Sequence, residues 1–201
     1  IGLEILDELP EVDAVIVPIG GGGLISGVAF AMKSLRPEVK VYGVQAAGAA
    51  SMFRSVKDHS ITTIEDVSTV ADGIQVKTPG KLTFDLCSRY VDQVVTVTDD
   101  EIATAILTLI EQQKLIAEGA GAVSVAAAMF SGKLDLAGKH VVCLVSGGNI
   151  DVSILSKVIS RGLMKTGRTL DLTVELVDKP GQLTDIAKLV ADTGAKVVGV
   201  Y

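Results

Sequence analysis

The sequence predicts an α/β chain: a doubly wound, mostly parallel sheet followed by a smaller, truncated strand–helix–strand module. Three observations predict it. Short β-branched apolar runs, fit for strands buried on both faces, alternate with amphipathic helical patterns. A run of four glycines joins the first such strand to the first long helix. After Leu163 the pattern switches to a strand with one wet face. The chain therefore divides into a larger unit at 1–163, a linker at 164–168 and a second module at 169–201.

Taken in order, Ile1, Ile5, Leu6 and Leu9 form one face of a helix already under way, so the sequence is expected to begin inside a longer protein. Asp13 to Pro18 is a buried strand, and Leu24 to Leu35 is a helix stopped before Pro37. Val39 to Gln45 is a second strand, completing a βαβ unit. Ser55 to Thr78 is polar and turn-rich, without clear periodicity. Lys81 to Tyr90 reads as helix and Gln93 to Val97 as strand. Thr98 and Glu101 form a capping box ahead of the buried stripe Ile102, Ile106, Leu109 and Ile110.

Gly119 to Phe130 is an Ala-rich buried helix, and Val141 to Val145 another strand buried on both faces. A helix then runs from Val152 to Arg161, closed by Gly162. In the second module Leu170, Leu172, Val174 and Leu176 alternate with polar residues. Lys179-Pro180-Gly181 turns into a helix marked by Leu183, Ile186, Ala187 and Val190, and Ala195 to Tyr201 begins another strand. One helix over two strands is a poor core alone, hence a truncated module.

Composition excludes several function classes. Hydrophobic residues make up 48% and charged residues 21%, so the chain is globular and not disordered. Net charge is −6 and no Lys/Arg cluster stands ready to neutralise phosphates, so no nucleic-acid partner is expected. Ala14 to Met32 carries no charge, but Pro18 and the glycines break it as a membrane span. The N-terminus has no signal core. Cys87 and Cys143 make neither a metal-binding pair nor a disulfide framework, and Cys143 reads as a small core residue; a reducing, cytoplasmic setting fits.

Gly20 to Gly23 carry the strongest chemical signal. Bare backbone N–H groups at a helix start form an anion site, for which phosphate is the usual guest. A Walker loop fails, because Val28 and Ala29 follow Gly27 where Lys and Ser/Thr are needed. A dinucleotide fingerprint fails too. Ile25 or Ser26 stands where its last glycine belongs, and Gln45 replaces the ribose-binding acid. A cofactor with one terminal phosphate remains; a turn needed only for packing is the plainer alternative.

The run Val17-Pro18-Ile19-Gly20-Gly21-Gly22-Gly23-Leu24-Ile25-Ser26-Gly27 resembles the phosphate loop of fold-type II pyridoxal-phosphate enzymes. More narrowly it resembles the threonine/serine dehydratases (threonine ammonia-lyases). Ala71-Asp72-Gly73-Ile74, Glu118-Gly119-Ala120-Gly121-Ala122 and Val145-Ser146-Gly147-Gly148-Asn149 recur in that family in the same order, over about residues 1–163. Residues 169–201, with Asp178-Lys179-Pro180-Gly181-Gln182-Leu183, resemble the first half of a ferredoxin-like ACT domain, a module that often binds amino acids.

The resemblance implies a partial tryptophan synthase β-like fold and pyridoxal 5'-phosphate as cofactor. It implies that Gly20, Gly21, Gly22, Gly23 and the Leu24 amide hold the phosphate, and that Gly73 lies in a turn lining the cofactor. Ser146 would hydrogen-bond the pyridine nitrogen; without the family it reads as an ordinary loop serine. A hydroxyl there leaves the ring a weaker electron sink, which suits β-elimination. Glu118 has two readings, an acid beside cofactor and substrate or a carboxylate at a helix start. Asp72-Gly73 could equally be a structural turn.

Two absences bear on the chemistry. Related serine racemases place a divalent cation where Gln45, Ala49 and Ser51 stand, so two charged ligands are lost and no metal is expected. The family's Schiff-base lysine lies in a Ser-Phe-Lys-type motif, and none of the thirteen lysines sits in such a context; Lys33, Lys77, Lys114 and Lys157 read as solvated. His59 and His140 match no motif. The expected activity is conversion of L-threonine or L-serine to a 2-oxo acid and ammonia by a longer, cytoplasmic, homo-oligomeric parent. These 201 residues alone are expected to be inactive, with an amino-acid effector at the second module. The competing readings are an amino-acid-sensing binding protein and another enzyme of the same fold, such as a threonine synthase.

Overall fold

The computed structural model describes residues 1–177 and 179–200. Its first half runs α1 (Gly2–Glu8), β1 (Ala14–Pro18), α2 (Gly23–Leu35), β2 (Lys40–Ala46), α3 (Ser51–Lys57), α4 (Lys81–Tyr90) and β3 (Gln93–Val97). There follow α5 (Asp99–Thr108), α6 (Gly119–Phe130), β4 (Val141–Cys143), α7 (Val152–Lys165) and α8 (Gln182–Asp192). The four strands form one parallel sheet in the order β3-β2-β1-β4. The connections after β1 and β2 step outward along the sheet, and β4 returns to the other side of β1. The crevice beyond the carboxyl ends of β1 and β4 is therefore a topological switch point, where open parallel sheets bind ligands.

Every residue of β1 is buried, and its alternation feeds two cores. Val15 and Val17 join Ile25, Met32, Met52 and Cys87 on one face. Ala14 and Ile16 join Ile102, Ile106, Val123 and Ala126 on the other. Each fully buried Val or Ile contributes about 1.5–3 kcal/mol relative to exposure, so the two-sided sheet is anchored at its centre. The Thr98–Glu101 capping box forms at the start of α5, the Thr98 N–H donating to Glu101 Oε2 at 2.6 Å and the Glu101 N–H to Thr98 Oγ1 at 3.3 Å.

Four expectations are corrected. The stretch expected to be turn-rich from Ser55 opens instead inside α3, which runs to Lys57; Ser51 and Ser55 are fully buried yet hydrogen-bonded to Val76 O and Ser51 O, so polar residues occupy what would be an apolar stripe. The strand expected at Val141 to Val145 pairs only through Cys143 and is half-buried, because β4 lies at the sheet edge. Gly162 does not close α7, which runs on to Lys165. A Cβ at Gly162 would lie 3.0 Å from Ala103 O and 3.3 Å from Leu107 Cβ, so this glycine lets α7 pack closely on α5. Lys33 is not solvated: its Nζ donates to Val39 O at 2.7 Å and pairs with Asp92 at 2.7 Å.

The chain divides into two compact units, Ile1–Thr169 and Leu170–Tyr201. In the second, α8 forms, but among the described residues 170–177 and 195–200 no strand pairs. Asp178 and Tyr201 lie outside the described residues.

Asp92 makes acid sensitivity predictable. Its Oδ2 accepts the Val41 N–H at 2.8 Å, and Lys33 and Lys40 pair with its two oxygens at 2.7 and 3.1 Å. Burial pushes the carboxyl up, but the bonds from Lys33, Val41 and Lys40 more than offset this, holding it below the ordinary 3.8. A lowered folded value means stability is fully present above the unfolded value near about 4 and is lost as pH falls through the folded one. Asp92→Asn should therefore cost about 1–2 kcal/mol in urea unfolding at pH 7. The gap to the parent protein should close as pH falls from about 5 toward 3; a gap constant across that range would contradict the assignment.

Candidate active site

The crevice at the switch point is a cleft of about 320 Å³. The carboxyl end of β1 brings Pro18 and the loop Gly20 to Gly22 to it, and the first turn of α2 adds Gly23 and Leu24. The start of α6 contributes Glu118 and Ala120. A 3₁₀ turn at Asp72–Ile74 presents Gly73, and the stretch after β4 presents Ser146. All eight residues singled out in the sequence thus line one cleft: Gly20, Gly21, Gly22, Gly23, Leu24, Gly73, Glu118 and Ser146.

The glycine loop is built for close approach. Gly22 caps α2 with φ +92°, a left-handed conformation, and a Cβ there would meet Met52 Cε at 2.8 Å and Thr83 Cβ at 2.9 Å. At Gly20 a Cβ would press on Ile74 Cα at 3.2 Å. Gly21 and Gly23 have neither excuse: their φ is ordinary and nothing lies within 4 Å of the Cβ position. Their bare backbone faces open space, where a side chain would only occupy the cleft. Among the described residues, none of the amide N–H groups of Gly20 to Leu24 donates to a protein acceptor. Unengaged donors at a helix N-terminus carry partial positive charge, and an anion satisfies them.

No lysine or arginine is among the residues lining the cleft, and Glu118 is its one carboxylate. These donors fit a phosphate monoester held by amides and helix dipole rather than by a cation. Glu118 occupies the N-cap position of α6, but its side chain caps nothing. Its Oε1 lies 2.3 Å from where a Cβ on Gly147 would sit and 3.6 Å from that of Gly73, so the absence of side chains at both positions makes room for the carboxylate. Glu118 N–H donates to Gly147 O at 3.1 Å, tying the start of α6 to the Ser146 segment. Gly121 permits the same approach, since its Cβ would lie 2.3 Å from Gly147 O.

Two side chains that the sequence analysis did not place at the loop touch it from outside. Thr83 Oγ1 donates to Gly21 O at 2.6 Å and lies 3.0 Å from Gly80 O. Gln45, fully buried, donates through Nε2 to Ile19 O at 3.3 Å and accepts the Phe53 N–H at 2.7 Å. A lone amide inside a strand buried on both faces was the available signal for Gln45, because such a group must find partners. Thr83 carried none, being one hydroxyl on an amphipathic helix. No group of three or more His, Cys, Asp or Glu side chains among the described residues converges as a metal site. Ser51, at one of the positions considered for a cation, donates to Val76 O at 2.6 Å.

Residues 1–147 match the protein family described as pyridoxal-phosphate dependent enzyme. The L-threonine ammonia-lyase of Thermotoga maritima is 51% identical over 201 residues, all of this chain and 50% of that protein. The L-threonine ammonia-lyase of Geobacter sulfurreducens is 48% identical over 197 residues, 98% of this chain and 49% of that protein. The solved structure of the processed form of threonine deaminase isoform 2 from Solanum lycopersicum has a TM-score of 0.76 at 38% identity, covering 80% of this chain and 47% of that one. The chain spans about half the length of the curated relatives it matches.

Proposed function

The chain belongs to the pyridoxal-phosphate-dependent enzyme family, and we propose that within a longer parent it holds the cofactor for conversion of L-threonine or L-serine to a 2-oxo acid and ammonia. The observation that carries this reading is the row of unengaged amides from Gly20 to Leu24, opening onto the cleft that Glu118 and Ser146 share. The names of the relatives support the substrate class. When bound, pyridoxal phosphate supplies an electron sink for the charge left on the substrate α-carbon as its proton departs.

The chain's own residues do the rest. The amides of Gly20 to Leu24 bind the phosphate, and the start of α2 adds its dipole. Ser146 meets the ring nitrogen with a neutral hydroxyl and so tempers the sink, favouring loss of the β-hydroxyl over transfer of the amino group. Glu118 moves a proton beside the substrate. Pro18, Ile74 and Ala120 add apolar wall to the cleft.

No lysine lines the cleft among the described residues, so the covalent attachment and the base at the α-carbon come from the rest of the parent. The parent is proposed to be cytoplasmic and homo-oligomeric, serving amino-acid metabolism such as isoleucine biosynthesis. Residues 169–201 would begin an ACT module that takes an amino-acid effector. Among the described residues no helix is long and apolar enough to cross a membrane.

The test is 2-oxobutyrate release from L-threonine, measured side by side for the full-length parent and for residues 1–201. Turnover by the parent and none by residues 1–201 is the expected pair. Turnover by residues 1–201 alone would overturn the placement of the base, and no turnover by the parent would overturn the activity.

A further inference from the structure

We propose that Thr83, on α4 and outside the glycine loop, is a positioning residue that aims the loop's amides at the cofactor phosphate, with Gln45 holding the loop's other end. The inference rests on the reading that Gly20 to Leu24 hold that phosphate. In a trans peptide the C=O of one residue and the N–H of the next point in opposite directions. Thr83 Oγ1 grips Gly21 O at 2.6 Å from the α4 side, so the Gly22 N–H points away from α4. Gln45 Nε2 grips Ile19 O at 3.3 Å, and the Gly20 N–H points away from it in the same manner. Two carbonyls are thereby drawn outward, and the amides that follow them are turned toward the cleft.

The loop needs such anchoring. Four consecutive glycines have the widest choice of backbone conformations, and a peptide plane among them can flip at little cost. A flipped Gly21–Gly22 plane would present a carbonyl oxygen, with its negative end, to the phosphate. Thr83 is itself fixed: its backbone carbonyl accepts from Ser26 Oγ at 3.4 Å, and its Cβ packs 2.9 Å from where a Gly22 Cβ would sit. The site is therefore preorganised from outside its first contacts, which reduces what must be ordered on binding.

The experiment compares Thr83→Val, isosteric but without the donor, and Thr83→Ser, which keeps it, in the full-length protein. Binding of pyridoxal phosphate and of pyridoxal, which has no phosphate, is followed by fluorescence quenching, with urea midpoints recorded in parallel. Thr83→Val should bind pyridoxal phosphate about tenfold more weakly, the effect of one hydrogen bond that orients a charge-binding amide. Its affinity for pyridoxal should match the parent protein, and Thr83→Ser should restore the phosphate preference. Equal loss for both ligands, or unchanged affinity for both, would overturn the positioning role. A parent protein that binds the two ligands equally would instead overturn the phosphate reading on which it rests.

Discussion

Glu118→Gln should lower kcat of the full-length protein by about 10²-fold or more, the contribution of a positioned proton-transfer group, while the urea midpoint hardly moves. The side chain sits at the N-cap of α6 without capping it, so the fold does not depend on its charge through a hydrogen bond. The amide keeps the shape and still fits the space left by Gly73 and Gly147. What it removes is the ability to hold a proton beside the substrate. A carboxylate serving only the helix dipole would behave in the opposite way. The variant would then lose about 0.3–1 kcal/mol of stability and keep its turnover. Steady-state kinetics with L-threonine, beside urea unfolding of the same samples, separates the two readings of Glu118.

Gly48→Ala should destabilise the fold by about 3 kcal/mol, among the larger costs of forcing volume into a packed site. The added Cβ would lie 1.9 Å from Ser68 O and 3.0 Å from Ser68 C, and both are backbone atoms that cannot rotate aside. The same two residues share a hydrogen bond, Ser68 N–H to Gly48 O at 3.0 Å. Gly48 has no positive φ, so close approach alone demands glycine there. The strain reaches the cleft through the chain that follows: Thr69 Oγ1 bonds Asp99, Ala71 N–H bonds Thr69 Oγ1 at 3.1 Å, and the turn carrying Gly73 comes next. Cofactor affinity should fall together with the urea midpoint. A variant with stability within about 0.5 kcal/mol of the parent would show that the contact is easily relieved.

Where burial follows a simple period, the sequence was sufficient. The helix Lys81–Tyr90, the strand Gln93–Val97 and the helix Gly119–Phe130 form over the residues that periodicity and apolar runs indicated. The glycine loop and the residues of three further motifs converge because parallel strands deliver their following loops to one edge of the sheet. What escaped the sequence depends on contacts between distant segments. Gly162 reads as a helix stop until α5 is seen against it. Ser55 looks like a loop residue because its burial is balanced by hydrogen bonds to Ser51 O and from the Thr62 N–H rather than by apolar neighbours. The five-residue π-helical stretch Leu109–Gln113, ending at Lys114 with φ +57°, has no composition of its own to mark it. Thr83 contacts the loop across 62 residues of sequence, which no local pattern encodes.

The central claim is that backbone amides at the mouth of α2 hold a phosphate group, and phosphorus NMR of the cofactor bound to the full-length protein tests it most directly. A free phosphate monoester changes its charge near about pH 6, and its resonance moves with it. Enclosed by the amides of Gly20 to Leu24 and the helix dipole, the doubly charged form is held, and the bound resonance should stay fixed across that range. A bound resonance that titrates as it does in free solution would contradict the claim.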